Sequence, residues 1–250
     1  MSRTIALLIM VFASNICFAS NNVFVKMSQD LLAATQNRQS TDKIVAEISN
    51  LSLEQLESGL KDDNEKFAFW LNIYNGFIQV ILNEKPELYE DRGSFFKLKM
   101  IKIAGQDLAF ADIEHGIIRR SQYEYFLGYI TNPFAPAYEK KLRVDERDFR
   151  IHFALNCGAK DCPPVAIYDD TKLDSQLDQS TTRYLKEKTS IRDGAVYTTT
   201  LFKWFRGDFG GGDGIRKIIE KYTGIKVGDR TLNTETYDWT LSLGNFIELT

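Results

Sequence analysis

The 250-residue chain has little of the chemistry that marks many functional sites, since it contains two histidines, three cysteines and five prolines. A dominant charge is also lacking, because 31 basic and 34 acidic residues leave a formal net charge of −3. Such a balance gives no electrostatic basis for binding nucleic acid or an anionic membrane, and we predict neither partner. The scarce prolines mark no linker, and no internal repeat is visible, so a second domain is not expected.

The first 19 residues have the layout of a cleavable secretory signal. A positive charge at Arg3 precedes an uncharged, mostly apolar run from Ile5 to Phe18, which the small residue Ala19 closes. The run is short for a membrane span, and an uncleaved anchor helix is the alternative. We therefore expect residues 1–19 to be removed. Residues 20–250 should then form one domain in the periplasm or outside the cell, with no membrane association.

Hydrophobic periodicity predicts an α+β fold, with a long buried helix and several amphipathic helices around a small, mostly antiparallel sheet. Helices are predicted over residues 21–35, 62–82, 112–120, 172–188 and 214–222, with a short one from about Ser52. Strands are predicted over residues 95–104, 107–110, 151–157, 195–205 and 237–243.

Residues 150–164 are the stretch around which we expect the rest of the chain to be organised. They begin as an apolar run of strand length and end in a bend that contains a glycine, two cysteines and two prolines. Alternation along a strand would place His152 and Cys157 on opposite faces. Because His152 would then point away from Cys157, His115, from a separate helix, is favoured as the partner of the Cys157 thiol. The same parity leaves His152 as a buried imidazole and opposes a zinc site shared by His152 and Cys157.

The two cysteines that remain after signal removal, Cys157 and Cys162, leave two interpretations open. An exported protein meets an oxidising compartment, where they can form a disulfide that pins the bend. A loop of this size adds about 2 kcal/mol of stability. If Cys157 is instead free, an imidazole that stabilises its thiolate makes it a nucleophile.

A polar stripe interrupts the otherwise apolar helix at residues 62–82. Its members are Ala68, Asn72, Asn75, Gly76 and Gln79. Because buried amides need hydrogen-bond partners, we expect the stripe to tie down neighbouring backbone. The alternative is a pocket wall, with Asn72 or Asn75 as an amide donor.

Asp112, His115 and Arg119 fall on one face of the helix predicted at residues 112–120. A carboxylate one turn before an imidazole orients the ring and raises its basicity, as a general base requires. A charged row that faces solvent produces the same spacing. The glycine-rich residues 207–212 lack the lysine and serine of a P-loop, so we predict loop geometry there and no cofactor or metal.

Four separated motifs in this order resemble the family of domain of unknown function 547. They read FWLNIYN at residues 69–75, DIEHGIIR at 112–119, HFALNCGAKDCP at 152–163 and YDW at 237–239. Trp204 and the Asp208–Phe209 pair also fit. The resemblance covers about residues 67–245 and implies a domain without an established reaction. It gives weight to the matching positions, which are Asn72, Asn75, Glu114, His115, Arg119, His152, Asn156 and Cys157.

Two functions follow as hypotheses, and a thiol-redox role is also open, although the spacing of Cys157 and Cys162 is longer than the usual Cys-x-x-Cys. In the first, the protein is a cysteine-dependent hydrolase or acyl transferase acting on a small molecule or peptide. Its catalytic residues are Cys157 as nucleophile, His115 as base, Asp112 or Glu114 as the orienting carboxylate and Asn156 near the oxyanion. Its substrate-binding residues are Asn72, Asn75, Arg119 and His152. In the second, it is a non-enzymatic extracytoplasmic binding domain with a Cys157–Cys162 disulfide.

Overall fold

Side chains that cap helix ends define the N-terminal third of the fold. The structure, a computed structural model, describes residues 22–250, so the predicted signal segment at residues 1–19 lies outside it. The first helices are α1 (Val23–Gln36), α2 (Asp42–Ser49), α3 (Leu53–Gly59) and α4 (Asp63–Glu84). Ser52 forms a capping box with Gln55 at the start of α3, and Asp62 accepts a hydrogen bond from Glu65 N at the start of α4. The predicted starts of both helices are confirmed.

Two asparagines of α4, Asn72 and Asn75, bind the backbone of two non-helical segments. Both asparagines are fully buried. The Asn72 side chain accepts from Tyr168 N at 2.8 Å and donates to Tyr168 O at 2.9 Å. In the same way, Asn75 accepts from Asn156 N at 2.8 Å and donates to Ala154 O at 3.0 Å. Each amide therefore satisfies backbone groups as a neighbouring strand would, and the expectation that the stripe ties down backbone is confirmed.

The rest of the described chain alternates short helices with two small sheets. The helices are α5 (Arg92–Phe95), a π-helix (Asp112–Ile118), α6 (Ala137–Leu142), α7 (Leu173–Lys188), α8 (Leu201–Trp204) and α9 (Gly211–Thr223). Short 3-10 helices lie at Pro86–Asp91, Phe126–Gly128 and Phe149–Phe153. The strands are β1 (Ile101–Ile103), β2 (Gln106–Leu108), β3 (Ser190–Arg192), β4 (Ala195–Thr198) and β5 (Leu232–Thr234). The α+β fold class is confirmed.

The sheet topology differs from the single small sheet that the sequence suggested. Strands β1 and β2 form an antiparallel pair in which Ile101 faces Leu108. Strand β4 lies between β3 and β5, antiparallel to the first and parallel to the second. Within residues 22–250, no helix is long and apolar enough to cross a membrane.

Four predicted strands are wrong, wholly or over several residues. The run at residues 95–104 starts at the end of α5 and forms β1 only over Ile101–Ile103. The run at residues 151–157 forms the end of a 3-10 helix and then irregular chain, because the Asn75 amide satisfies its backbone. In the segment at residues 195–205, the chain leaves β4 after Thr198 and enters α8. At residues 237–243, Leu241 makes an isolated bridge to Ala159 in place of a ladder. Apolar periodicity did not separate buried irregular chain from strand in these places.

The buried apolar side chains form two separate clusters. The larger surrounds α4, and the smaller contains Phe153 together with buried side chains of α7, α8 and α9. Phe153 contacts Phe202 and Phe209 at ring-centroid distances of 5.8 and 5.7 Å, which ties the 3-10 helix to the smaller cluster. The neighbouring His152 is thereby placed where the two clusters meet.

Candidate functional site

A cavity of about 500 Å³ lies between the two clusters. Its walls are mainly apolar and aromatic, formed by Tyr74, Phe96, Ala111, Leu155, Pro163, Leu201, Trp204, Phe205, Tyr237 and Trp239. Its polar lining consists of Glu114, His115, Glu124 and His152, together with the sulfur-bearing Cys157. Tyr125, Phe126 and Leu127 complete the lining and are exposed, at 64, 58 and 46%. An apolar pocket with a few convergent polar groups is the usual form of a small-molecule site.

The π-helix sets the positions of the polar residues on one wall. Its wide turn is visible where Arg119 N donates to Glu114 O, five residues earlier, at 2.9 Å. Arg119 Nη1 then donates to His115 Nδ1 at 2.8 Å. Single π-helical turns are rare and are often found at functional sites. The predicted helix at residues 112–120 therefore forms, but with a geometry that the sequence pattern did not specify.

The Arg119 contact fixes the tautomer of His115. A guanidinium donates hydrogen bonds and cannot accept them, so Nδ1 of the ring must be the acceptor. The ring proton of the neutral imidazole is therefore on Nε2. Burial, and then the positive charge of Arg119, lower the pKa of His115 to about 3. His115 thus lines the pocket as a neutral ring with an N–H donor, a role that geometry favours over that of a base.

Glu114 is the carboxyl group beside this ring. Its Oε1 lies 3.7 Å from His115 Nδ1, and Tyr74 donates its hydroxyl proton to Oε2 at 3.4 Å. Burial raises the pKa of Glu114, and the nearby Arg119 partly offsets that rise. A carboxyl group with a raised pKa in a cleft is a candidate for proton transfer or for ligand binding.

Asp208 connects Arg119, which binds His115, to the second histidine of the pocket, His152. Its Oδ2 accepts from Arg119 Nε at 2.7 Å and from His152 Nε2 at 2.8 Å. Arg147 Nη1 lies 3.2 Å from Oδ1. Burial alone would raise the pKa of Asp208, but the hydrogen bonds from His152 and Arg119 lower it to about 2. Asp208 is therefore ionised at neutral pH, and it orients both side chains.

His152 is held by this carboxylate and by an aromatic ring. It stacks on Phe205 with the ring centroids 4.0 Å apart and the planes 20° apart. Burial lowers the pKa of His152 while the Asp208 hydrogen bond opposes that shift. His152 and Cys157 both line the pocket, so the strand-parity argument that separated them no longer applies.

Two glycines let the loop that carries Asp208 approach the segment that forms the pocket mouth. Gly128 has φ of +83°, and a Cβ on it would lie 2.3 Å from Asp208 Oδ1. A Cβ on Gly207 would lie 2.7 Å from the Gly128 carbonyl carbon. Gly207 N also donates to Leu127 O at 2.7 Å. The glycine-rich loop therefore places a carboxylate in the site.

The cysteine loop forms another part of the wall. Cys157 and Cys162 are joined in a disulfide with their Cα atoms 6.2 Å apart. Asn156 holds the bend, since its Nδ2 donates to Pro163 O at 2.7 Å and its Oδ1 accepts from Gly158 N at 3.0 Å. The disulfide interpretation that the sequence left open is the one that the structure contains.

The structure brings together some of the sequence-predicted site residues and separates others. Glu114, His115, His152 and Cys157 line the pocket, and Arg119 lies behind them. Asn72, Asn75 and Asn156 are buried and bonded to backbone groups. Asp112 accepts from Ala109 N at 2.6 Å and pairs with Lys99. The catalytic and substrate-binding roles stay predictions.

Sequence reasoning assigned no role to Asp208 or to the aromatic wall. The family resemblance included the Asp208–Phe209 pair, but the glycine-rich residues 207–212 were interpreted as loop geometry. Among residues 22–250, no three His, Cys, Asp or Glu side chains are arranged to hold a metal ion.

Comparison with protein families gives one match. A family model described as "Protein of unknown function, DUF547" matches residues 58–185. These residues include the motifs at residues 69–75, 112–119 and 152–163. Comparison with curated proteins and with solved structures finds no match. The activity must therefore be argued from the pocket.

Proposed function

The chain belongs to the DUF547 family of proteins of unknown function, and we propose that it is an extracytoplasmic binding domain for a small, uncharged ligand. The observation that carries this proposal is the pocket itself, an apolar and aromatic cavity whose polar lining includes the neutral ring of His115 with its proton on Nε2. A ligand with an apolar body and one carbonyl or hydroxyl acceptor matches this combination.

The pairing of charges around the cavity supports an uncharged ligand. Asp208 lies between Arg119 and Arg147, at 2.7 and 3.2 Å. At the mouth, Glu124 is 3.1 Å from Lys97. Glu114 is the remaining acid of the lining; burial raises its pKa, and the positive charge of Arg119 nearby opposes that rise. A charged ligand would lose hydration without a free counter-charge to replace it.

The state of Cys157 supports binding over thiol catalysis. Its sulfur is bonded to Cys162, so this form of the protein has no thiolate at the pocket wall. His115, the predicted base, keeps its Nδ1 lone pair in the hydrogen bond from Arg119. The loop then acts as a shaped, apolar part of the wall.

Binding can be tested with N-phenyl-1-naphthylamine, a neutral apolar dye that fluoresces on leaving water. We expect the wild-type protein to enhance the dye emission. Ala111→Phe fills the pocket and should abolish the signal, while Ala46→Phe, on the exposed face of α2, should keep it. Equal dye binding by the two variants, or none by the wild type, contradicts the proposal.

A second candidate function is the cysteine-dependent hydrolase or acyl transferase, in a reduced form of the protein. The observation that favours it is the lining of one cavity by Cys157, His115 and His152. The His152–Asp208 contact at 2.8 Å resembles the orienting pair of a catalytic triad. In this scheme His152 serves as the base.

The reduced protein should then alkylate with iodoacetamide at Cys157 faster at pH 6 than a free thiol does, and it should cleave p-nitrophenyl acetate. Cys157→Ser should lose the ester cleavage, and Cys162→Ser should keep it. A Cys157 that alkylates no faster than a free thiol contradicts this function.

Export is part of the proposal. The N-terminal pattern supports cleavage after Ala19, and a disulfide persists in oxidising compartments such as the periplasm or the cell exterior. Intact-mass measurement of protein from the cell-envelope and medium fractions should give a chain without residues 1–19. Recovery of the full-length mass from the cytoplasm alone contradicts it.

A further inference from the structure

The two sulfurs of the disulfide lie in different surroundings. Cys157 is partly exposed and lines the cavity, whereas Cys162 is 4% exposed and packs in the larger core. A molecule that enters the pocket therefore reaches Cys157 first. Which sulfur is attacked and which one leaves are the variables that control thiol–disulfide exchange.

Hydrogen-bond donors are also distributed unequally between the sulfurs. Cys157 N–H donates to Cys162 Sγ at 3.0 Å, and the Tyr237 hydroxyl donates to the same atom at 3.2 Å. The Tyr237 oxygen is farther from Cys157 Sγ, at 3.8 Å. Burial raises the pKa of Tyr237, so its hydroxyl keeps the proton that it donates. Two donors are thus directed at the buried sulfur, where they stabilise negative charge.

From this asymmetry we infer that the disulfide is a thiol–disulfide exchange centre, attacked at Cys157 by a small thiol that enters the pocket. The inference rests on the proposed function, since the binding pocket is the route of access. A thiolate forms a bond to Cys157 Sγ while the bond between the two cysteines breaks. The electron pair goes to Cys162 Sγ, and Cys157 N–H and the Tyr237 hydroxyl receive the new thiolate.

A second small thiolate completes the reaction. It attacks the sulfur of the bound thiol, and Cys157 leaves as a thiolate. Two small thiols become one small disulfide, two electrons pass to the protein, and the cysteines take up protons. Asn156 and Asn75 hold the loop backbone independently of the bridge, so the two thiols stay near each other for reoxidation.

Two single variants test which sulfur is reactive. Cys162→Ser and Cys157→Ser both lack the bridge and each keep one cysteine of the pair, and circular dichroism verifies that both are folded. The probe is 2-hydroxyethyl disulfide, which is small and uncharged, and intact mass reports the mixed disulfide. Cys162→Ser should be modified at least about tenfold faster, because its remaining thiol faces the pocket. Equal rates, or faster modification of Cys157→Ser, overturn the inference.

A hydroxyl deletion tests the leaving group. Opening of the bridge by 2-mercaptoethanol should be about tenfold slower in Tyr237→Phe, since one donor to the departing thiolate is lost. Tyr129→Phe removes an exposed hydroxyl and should react at the wild-type rate. Circular dichroism verifies that both variants are folded. A Tyr237→Phe rate equal to the wild type overturns the leaving-group role.

Dye binding separates this inference from the function on which it rests. Dye binding by the wild type, together with equal modification rates of Cys162→Ser and Cys157→Ser, refutes exchange alone. Faster modification of Cys162→Ser, together with no dye binding by the wild type, refutes the ligand pocket alone.

Discussion

The two sides of the pocket are held in different ways. On one side, His115, Arg119, His152 and Asp208 come from three separate segments and are held by buried hydrogen bonds between charged and neutral groups. On the other, Cys157 and Cys162 are five residues apart and are joined covalently. The first arrangement depends on the long-range fold and on pH. The second depends on a local loop and on redox conditions.

Arg119→Met should have the largest effect on stability. It removes the cation that bridges His115 and Asp208 and leaves buried partners unpaired, which costs about 3–5 kcal/mol. Urea denaturation measures the free energy of unfolding. Arg147→Met is the matched control, because Arg147 contacts the same carboxylate but is 42% exposed, and it should cost about 1 kcal/mol or less. Equal costs for the two variants would show that burial does not decide the strength of this network.

Reduction of the disulfide should have a smaller effect. Because the loop is short, breaking the bridge restores little entropy to the unfolded chain, and we expect a loss of about 2 kcal/mol. Urea denaturation with and without a phosphine reductant gives the difference. A loss larger than that of Arg119→Met would reverse the ranking of the two sides.

Acidification should lower the free energy of unfolding through the side of the pocket that contains His115 and Asp208. The folded pKa of His115 is about 3, below the ordinary 6.5, so between these values the unfolded chain binds the proton and the folded one does not. Stability should therefore fall as the pH falls from 6.5 toward 3, by about 1.4 kcal/mol per pH unit for this group.

The lowered pKa of Asp208 adds a loss of the same sign at the acidic end. His115→Gln, whose amide does not titrate, should reduce the slope between pH 6.5 and 5, and the lowered pKa of His152 should leave a remaining slope of the same sign. Reducing the disulfide should leave the wild-type slope unchanged. A slope that is the same in wild type and His115→Gln assigns the effect to other groups.

Tyr237→Phe should have the smallest effect on equilibrium stability. It removes one hydrogen bond to a sulfur, which is worth about 1 kcal/mol or less. Thermal denaturation beside Tyr129→Phe, whose hydroxyl is exposed, provides the measurement. A loss as large as that caused by reduction would mean that the hydroxyl, and not the bridge, fixes the loop.

Much of the helical framework could be predicted from local signals. Ser52 and Asp62 cap α3 and α4 as their residue types predict, and α7 begins one residue after the predicted start. These features depend on side chains within a few residues of one another. The predicted strand at residues 151–157 failed for the opposite reason. Its backbone partners are on Asn75, in a helix far away along the sequence.

The candidate site also has a part that could be predicted from the sequence and a part that could not. The motifs identified Glu114, His115, His152 and Cys157, and all four line the cavity. The partner of His152 and the tautomer of His115 were not predictable, since Asp208 and Arg119 reach them through the folded chain. The π-helical turn was equally hidden, because an α-helix and a π-helix share the same apolar signature over so short a segment.

The sequence by itself determined the starts of α3, α4 and α7, the buried character of α4, the α+β class and four of the residues that line the cavity. Periodicity and capping are local properties of the chain, and they act before distant segments meet. Only the tertiary structure decided that one carboxylate orients His152 and Arg119 together, and that Cys157 faces the pocket while Cys162 does not. Those outcomes depend on burial and on hydrogen bonds between distant segments, which exist once the two apolar clusters have packed.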